Sequence, residues 1–254
     1  MRKILTIILI CITFTIVTTG CARKPSNPAV DPYENFNRAM FAFNTDIDHL
    51  IYRPVSKVYR AVTPSFVRKG VSNVFDNLEE LTTMPNDLLQ GKVRYIFLDF
   101  WRFVINSTFG VGGLFDVATK LGLHKHYEDF GMTLAYWSGG TRSPYLVMPF
   151  LGPSTFRTAF GLPFDAAASP WPYFRPRYIG WSAAGLKYLN IRTKLLNTDK
   201  LVDDAFDPYI FVRNAYLQHR NRQIDENMKH HPSPRIQRHP SLYRAPNGFP
   251  KTKT

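Results

Sequence analysis

The segment from Ser143 to Arg157, SPYLVMPFLGPSTFR, combines three prolines with a run of apolar side chains. The prolines exclude an uninterrupted helix or an inner strand, because proline lacks a backbone donor and fixes φ. They stay frequent over residues 144–181, where proline-rich loops rather than long elements are expected. A core, lipid, a partner or a ligand must surround the apolar side chains, which have no charge among them. They are Tyr145, Leu146, Val147, Met148, Phe150 and Leu151.

The amino terminus has the three regions of a secretory signal. Two basic residues precede an apolar run from Ile4 to Val17, and small residues follow as far as Cys21. The run has about fourteen residues, fewer than the roughly twenty that span a bilayer as a helix. A cleaved signal peptide over residues 1–20 is therefore favoured over an anchor helix.

Gly20 before Cys21 also resembles the end of a bacterial lipobox, in which the cysteine is acylated. Thr18 stands where leucine is usual, and an ordinary export signal with a chance cysteine is the alternative. Two or more acyl chains give a stable membrane anchor, so residues 21–30 are interpreted as a lipidated tether. By resemblance to bacterial sorting signals, Ala22 after the cysteine favours the outer membrane.

The composition suits a chain that works at an anionic surface. Without residues 1–20 the chain keeps 30 basic and 19 acidic residues, a formal net charge of +11. This charge fits lipid headgroups or acidic proteins, and an exported lipoprotein seldom meets nucleic acid. The 37 aromatic residues suit an interface between water and hydrocarbon, and a large aromatic core is the alternative.

Apolar residues at helical spacing predict two amphipathic helices early in the mature chain. The first has Asp31 in the N-cap position and a stripe from Phe36 to Leu50. The second has a stripe from Val67 to Leu81 and is expected to end at Pro85. Its polar face, which includes Glu80, is expected to meet water.

The segment Lys92–Asn106 has almost no polar face. A helix of this kind is buried on all sides or embedded in lipid, and this one is too short to span a bilayer. Asp99 and Arg102 are three residues apart and are expected to pair. The candidates for a membrane-embedded face are Ile96, Phe97, Phe100, Trp101 and Val104.

Two further segments lie nearer the carboxyl terminus. Asp207-Pro208 is expected to begin a helix, and residues 221–254 are interpreted as a basic, disordered tail. SPWPYFRPRYIGW, from Ser169, interleaves rings with arginines and is either an interfacial loop at headgroups or an aromatic contact with a protein partner. Its candidate residues are Trp171, Tyr173, Phe174, Arg175, Arg177, Tyr178 and Trp181.

No motif in the sequence selects an enzyme class. The nucleophile elbow G-x-S-x-G of lipid hydrolases is absent. HKHYED, His124 to Asp129, is the most metal-like string, but it lacks an HExxH helix or a cysteine pair, and a polar loop is favoured. We therefore expect neither catalysis nor a metal or cofactor, and we retain a phospholipid hydrolase as an alternative.

Five strings resemble, in family order, those of the MlaA lipoproteins, also called VacJ. The likeness extends from about Asp31 to Arg220. Met132, where glutamine is common, and Thr158, where aspartate is usual, depart from the pattern. The strings are DPYENFNRAMFAFN, INSTFGVGGLFDVA, EDFGMTLAYW, PYLVMPFLGPSTFR and DPYIFVRNAYLQHR.

The resemblance implies a mainly α fold over residues 31–220, a ring-like bundle of amphipathic helices with proline-rich loops around an amphipathic channel. It implies an outer-membrane lipoprotein that removes mislocalised phospholipid from the outer leaflet and passes it to a soluble periplasmic carrier, often while bound to a trimeric porin. It places the apolar residues 145–151 in a proline-bounded hairpin beside the lipid path. A structural adaptor lipoprotein is a further alternative.

Overall fold

The computed structural model describes residue 27 and residues 29–234. The predicted signal over residues 1–20, the acylation site Cys21, most of the tether and residues 235–254 of the predicted tail lie outside the described residues. The fold is mainly α, as predicted. The helices are α1 (Glu34–Ile47), α2 (Arg53–Val62), α3 (Ser65–Gln90), α4 (Val93–Thr108), α5 (Val117–Lys120), α6 (Phe130–Ser138), α7 (Phe156–Ala168), α8 (Arg177–Leu195), α9 (Asp199–Asp203) and α10 (Pro208–His230).

Two short strands interrupt the helices, β1 (Tyr145–Met148) and β2 (Gly152–Thr155). They pair antiparallel, with Tyr145 opposite Thr155, so the predicted proline-bounded hairpin is confirmed. The turn between them needs two left-handed residues, Phe150 at φ 64° and Gly152 at φ 82°. A π-helical segment (Asp48–Tyr52) joins α1 to α2, and a 3₁₀ turn (Trp171–Tyr173) precedes α8.

Side chains of α1 take the place of a third strand along the hairpin. Asn37 donates its amide to the Tyr145 carbonyl at 3.1 Å and accepts from the Val147 N–H at 2.8 Å. Asn44 does the same for the Met148 carbonyl at 2.9 Å and the Phe150 N–H at 2.7 Å. These bonds satisfy backbone groups that an edge strand leaves unpaired, so they fix the hairpin on α1.

The described part of the chain is folded inside out relative to a water-soluble protein. Its buried side chains comprise 27 polar or charged residues against 11 apolar ones, whereas soluble proteins bury mainly apolar residues. On α4, Asp99 and Arg102 are buried, while Phe97 is 62% exposed and Trp101 is 53% exposed. A polar interior and an apolar exterior suit a protein whose outer surface meets hydrocarbon.

This inversion overturns several predictions about the helix faces. The sequence predicts that Glu80 meets water, but Glu80 is fully buried and accepts a hydrogen bond from Arg102 at 2.9 Å. Arg102 therefore pairs across helices, and the predicted pair with Asp99 is wrong. Asp31 is not an N-cap. It is fully buried and accepts from Asn37 at 2.7 Å and from Arg213 at 3.0 Å.

Two internal prolines do not end their helices. Pro85 lies inside α3, which continues to Gln90, and Pro163 lies inside α7. The prediction of proline-rich loops is therefore wrong over Phe156–Ala168. The Thr155 side chain caps α7 by accepting from the Thr158 N–H at 3.2 Å, and this cap satisfies an amide group that the first turn leaves free.

The prediction that a disordered tail begins at residue 221 is wrong, because α10 begins at Pro208 as expected and continues to His230. Ile224 and Met228, four residues apart, are each 4% exposed and pack with Met132 and Ala135 of α6. Asn227, between them, donates to Glu128 at 2.6 Å, so apolar packing and a hydrogen bond together dock the end of α10.

Candidate functional site

A cavity of about 390 Å³ lies between α3, the hairpin, α7 and α8. Its wall combines apolar side chains with charged and hydroxyl-bearing ones, so a single compartment offers both kinds of surface. The apolar lining is Leu78, Leu151, Leu162, Ala166, Pro170 and Trp171, and the polar lining is Glu79, Thr82, Tyr127, Asp129, Asp165, Ser169 and Lys187.

Glu79 is the centre of the ion pairs on the polar wall. Its carboxylate lies 2.7 Å from the Lys187 ammonium and 2.8 Å from that of Lys125, which also binds Asp76 at 2.8 Å. Burial favours the neutral acid, but the two lysines outweigh it and lower the pKa of Glu79. The cavity therefore presents fixed charges of both signs.

Tyr127 adds a neutral hydroxyl to the same wall. Its side chain is 41% exposed, yet burial raises the pKa of its hydroxyl well above the usual value, with nearby Asp129 acting in the same direction. The ring contributes to the wall of the cavity. The hydroxyl stays protonated at neutral pH and can donate a hydrogen bond.

Asp129, another residue of the polar wall, connects α6 to α10. It caps α6 by accepting from the Met132 N–H at 2.8 Å, and it binds Arg220 of α10 through two contacts of 2.7 and 2.6 Å. Gly131 lies so close that an added Cβ would be 2.9 Å from the Arg220 guanidinium. The glycine thus allows α6, α7 and α10 to meet, which holds the cavity wall rigid.

The family model for the MlaA lipoprotein matches residues 29–223. The chain belongs to the MlaA family. The intermembrane phospholipid transport system lipoprotein MlaA of Escherichia coli is 37% identical over 216 residues, covering 80% of this chain and 83% of the relative. The protein of the same name from Haemophilus influenzae is 32% identical over 230 residues, covering 86% and 90%.

A solved structure also resembles this MlaA-family chain, with a TM-score of 0.66 and 35% sequence identity. The likeness covers 76% of this chain and 98% of the solved one, which is described as the structural basis for maintenance of bacterial outer membrane lipid asymmetry. The inverted surface and the mixed cavity therefore occur in a family whose named members handle phospholipid.

In this MlaA-family chain, the residues predicted to line a lipid path divide into three sets. Tyr145 is fully buried and Val147 is 1% exposed, and both pack against Tyr209 in a core cluster. Their prediction as lipid-lining residues is wrong, because strand alternation turns them toward α10. Leu151 reaches the cavity, and Phe150 is 54% exposed at the turn. The half-buried members of the set are Leu146 and Met148.

Substituting the two sides of the hairpin should separate packing from surface roles. Val147→Asp places an unpaired charge in the core and should cost about 3 kcal/mol or more of unfolding free energy. Phe150→Asp, at the exposed turn, should change that free energy by only about 0.5 kcal/mol. Urea unfolding of the detergent-solubilised variants, followed by circular dichroism, measures both. Equal stability of the two variants would contradict the assignment of Val147 to the core.

The structure also divides the predicted aromatic segment, residues 169–181, into cavity-lining and exposed residues. Trp171 lines the cavity and contacts Phe75, with ring centroids 5.6 Å apart. Tyr173, Tyr178 and Trp181 point outward and are 71%, 69% and 78% exposed. The first ring belongs to the cavity and the other three to the surface. Arg175 and Arg177 are exposed and Phe174 is half-buried.

The candidate membrane-embedded helix is α4. Phe97, Phe100 and Trp101 are exposed, and Ile96 and Val104 are half-buried. Among the described residues, no helix is both long enough and apolar enough to cross a bilayer. The outward rings of α4 therefore provide an apolar surface without a spanning segment.

Sequence reasoning missed most of the cavity wall. Glu79, Asp165 and Lys187 belong to no recognisable motif, and Leu162 follows the proline-rich string by only a few residues. Other wall residues did lie in strings that the sequence analysis singled out. Tyr127 and Asp129 belong to HKHYED, Leu151 to the proline-rich string, and Trp171 to the aromatic segment. Five separate parts of the chain supply the wall, so local spacing does not reveal it.

Proposed function

We propose that this MlaA-family chain is an outer-membrane lipoprotein that removes mislocalised phospholipid from the outer leaflet and passes it to a soluble periplasmic carrier. This activity would maintain the lipid asymmetry of the outer membrane. The observation that carries the proposal is the cavity with apolar and charged walls inside a chain whose exterior is apolar. The names of the E. coli and H. influenzae relatives support the same activity.

The cavity matches the two parts of a phospholipid. Acyl chains fit against Leu78, Leu151 and Leu162, whose side chains exclude water from hydrocarbon. A headgroup phosphate fits near the Lys187 ammonium, and a cationic headgroup amine fits near Asp165. The volume of about 390 Å³ lies within the range of roughly 300–1,000 Å³ that is usual for ligand sites.

Transfer through such a site needs no covalent chemistry. A lipid that moves from the bilayer into the cavity keeps apolar surroundings for its acyl chains and polar surroundings for its headgroup. The free-energy barrier to leaving the bilayer is therefore lower. A passage without an energy source lets lipid move only down its free-energy gradient. Direction must then come from the carrier that removes the lipid.

The outer surface explains how the chain would sit in a leaflet. Phe97, Phe100 and Trp101 would contact hydrocarbon, and acylation at Cys21 would add a covalent anchor. The exposed rings Tyr173, Tyr178 and Trp181 suit either headgroups or a trimeric porin, because tyrosine and tryptophan join an apolar body to a polar edge. These features support placement at a membrane surface with a protein partner alongside.

A charge on the apolar wall should block lipid movement without unfolding the chain. Leu162→Asp, compared with Ala167→Asp on the exposed side of the same helix, provides a matched pair. We expect Leu162→Asp to lower the transfer of fluorescent phospholipid from proteoliposomes to acceptor vesicles by about tenfold or more, since it removes apolar contact and adds a charge. Ala167→Asp should transfer at the wild-type rate.

Three measurements separate lipid transport from the alternative functions. Equal transfer rates for the two variants, with both folded by circular dichroism, would refute the cavity as the lipid path. Stoichiometric phospholipid retained after detergent exchange favours transport, and its absence favours a structural adaptor. Release of lyso-lipid and free fatty acid, measured by mass spectrometry, would instead identify a hydrolase.

A further inference from the structure

Three ionisable side chains from three parts of the chain converge beside the lipid cavity. Asp87 of α3 lies 2.9 Å from Nε2 of His126, and Asp99 of α4 lies 3.0 Å from Nδ1 of the same ring. One ligand-type atom from each residue lies within 4.8 Å of the other two. His126 belongs to the HKHYED string, which the sequence placed in a polar loop, and the structure adds the two carboxylates.

The two carboxylates have oxygens without a hydrogen-bond donor in the described part of the chain. Asp87 and Asp99 are both fully buried, and Oδ1 of Asp87 and Oδ2 of Asp99 accept no hydrogen bond. The Lys92 ammonium is 3.9 Å from Oδ1 of Asp87, too far to donate. A buried carboxylate oxygen without a donor is costly, so its presence in two neighbours points to a missing positive charge.

The surrounding charges lead to the same conclusion. Four buried carboxylates, those of Asp87, Asp99, Glu80 and Glu128, share this region with two fixed cations. Arg102 pairs with Glu80 at 2.9 Å, and Lys92 pairs with Glu128 at 2.6 Å. Two negative charges remain uncompensated, and one divalent cation or two protons would neutralise them.

An ion can reach the cluster from a second cavity of about 440 Å³. His126 lines this cavity, and its side chain is 23% exposed, while both carboxylates lie behind it. The cavity also contains Tyr95, His219 and Glu226. Water in this cavity could complete the coordination of a metal that three protein ligands hold.

We propose that Asp87, Asp99 and His126 bind one divalent transition-metal ion, with Zn²⁺ the best match. One imidazole nitrogen and two carboxylate oxygens form a three-ligand set that leaves a position for water, an arrangement that zinc accepts. The ion would join α4 to α3 and to the loop before α6, and the last two both contribute residues to the wall of the lipid cavity. Its binding does not depend on the proposed lipid transfer.

Without a metal the cluster must hold protons instead. The two carboxylates outweigh burial and raise the pKa of His126, which then bridges them as an imidazolium. Burial raises the pKa of Asp99, so a proton on this group relieves the repulsion from Asp87. Metal and protons are therefore competing ways to neutralise the same site, and an experiment can distinguish them.

The test uses the full acylated chain in detergent, with an affinity tag that contains no histidine. After treatment with EDTA and its removal, ZnCl₂ is titrated by calorimetry and bound zinc is quantified by mass spectrometry. We expect one zinc per chain and a higher thermal midpoint. Asp99→Asn and His126→Gln should each weaken zinc binding by at least about tenfold, while His124→Gln, an exposed histidine of the same string, should not.

X-ray absorption of the zinc-loaded wild-type chain gives a readout that needs no variant to fold. The site predicts a shell of nitrogen and oxygen ligands with a single imidazole. Two or more imidazoles would assign the zinc to other histidines and overturn the proposal. Absence of saturable binding, or equal affinity in folded Asp99→Asn, would likewise overturn it and leave protons as the neutralising charges.

Discussion

Arg102→Ala is expected to lower the free energy of unfolding by about 3–5 kcal/mol, because it leaves a buried carboxylate without its partner. The Arg102 side chain is 2% exposed, and Glu80, which it binds at 2.9 Å, is fully buried. The guanidinium also donates to the Thr119 hydroxyl at 3.1 Å and to the Leu123 carbonyl. Its loss therefore removes contacts among α3, α4 and α5 together.

Urea unfolding of the detergent-solubilised chain measures this change. Arg94→Ala, at an exposed position on the same helix, is the control and should alter stability by no more than about 0.5 kcal/mol. The double variant Glu80→Gln/Arg102→Met removes both charges and should recover part of the loss. Equal stability of Arg102→Ala and Arg94→Ala would show that the polar interior does not hold the fold together.

The second large effect concerns the outer surface. A chain produced without the signal segment and with Cys21→Ser has no acyl anchor, and we expect it still to bind phospholipid vesicles through its exposed apolar residues. Phe97→Glu should then reduce the vesicle partition coefficient by about tenfold or more. Burial of one phenylalanine contributes about 1.5–3 kcal/mol, and each 1.4 kcal/mol corresponds to a factor of ten.

Vesicle co-flotation measures the bound fraction. Gln218→Glu, on the exposed side of α10, adds a negative charge without removing apolar area, and it should leave the partition coefficient nearly unchanged. Equal losses in the two variants would attribute the effect to charge alone. No binding of the unacylated chain would show that the exposed rings of α4 do not contact hydrocarbon.

The local elements were predictable where a residue restricts its own backbone. Pro144 directly precedes β1, Pro149 lies in the turn of the hairpin, and Asp207-Pro208 begins α10, where Asp207 accepts from the Ile210 N–H at 3.1 Å. Such signals act within a few residues and need no information about the rest of the chain. Pro85 and Pro163 show the limit of this reasoning, because each lies inside a helix that continues on both sides of the proline.

The candidate site was less predictable than the elements that carry it. Of the six residues proposed for the lipid path, Leu151 alone lines the 390 Å³ cavity, and Tyr145 and Val147 are core residues. A strand turns alternate residues to opposite sides, but its sequence does not say which side meets a neighbour. Here α10 supplied that neighbour, some sixty residues further along the chain.

By itself the sequence determined that amphipathic helices with two unlike faces occur early in the mature chain and that Asp207-Pro208 begins another helix. The family resemblance implied the mainly α fold and the proline-bounded hairpin between α6 and α7. Only the tertiary structure decided which face of each helix turns inward. Periodicity records the separation of polar from apolar residues, and either face can be the buried one when the surrounding solvent is hydrocarbon. Partners such as Glu80 with Arg102 and Asp129 with Arg220 lie 22 and 91 residues apart, and their attraction selected the polar face for the interior.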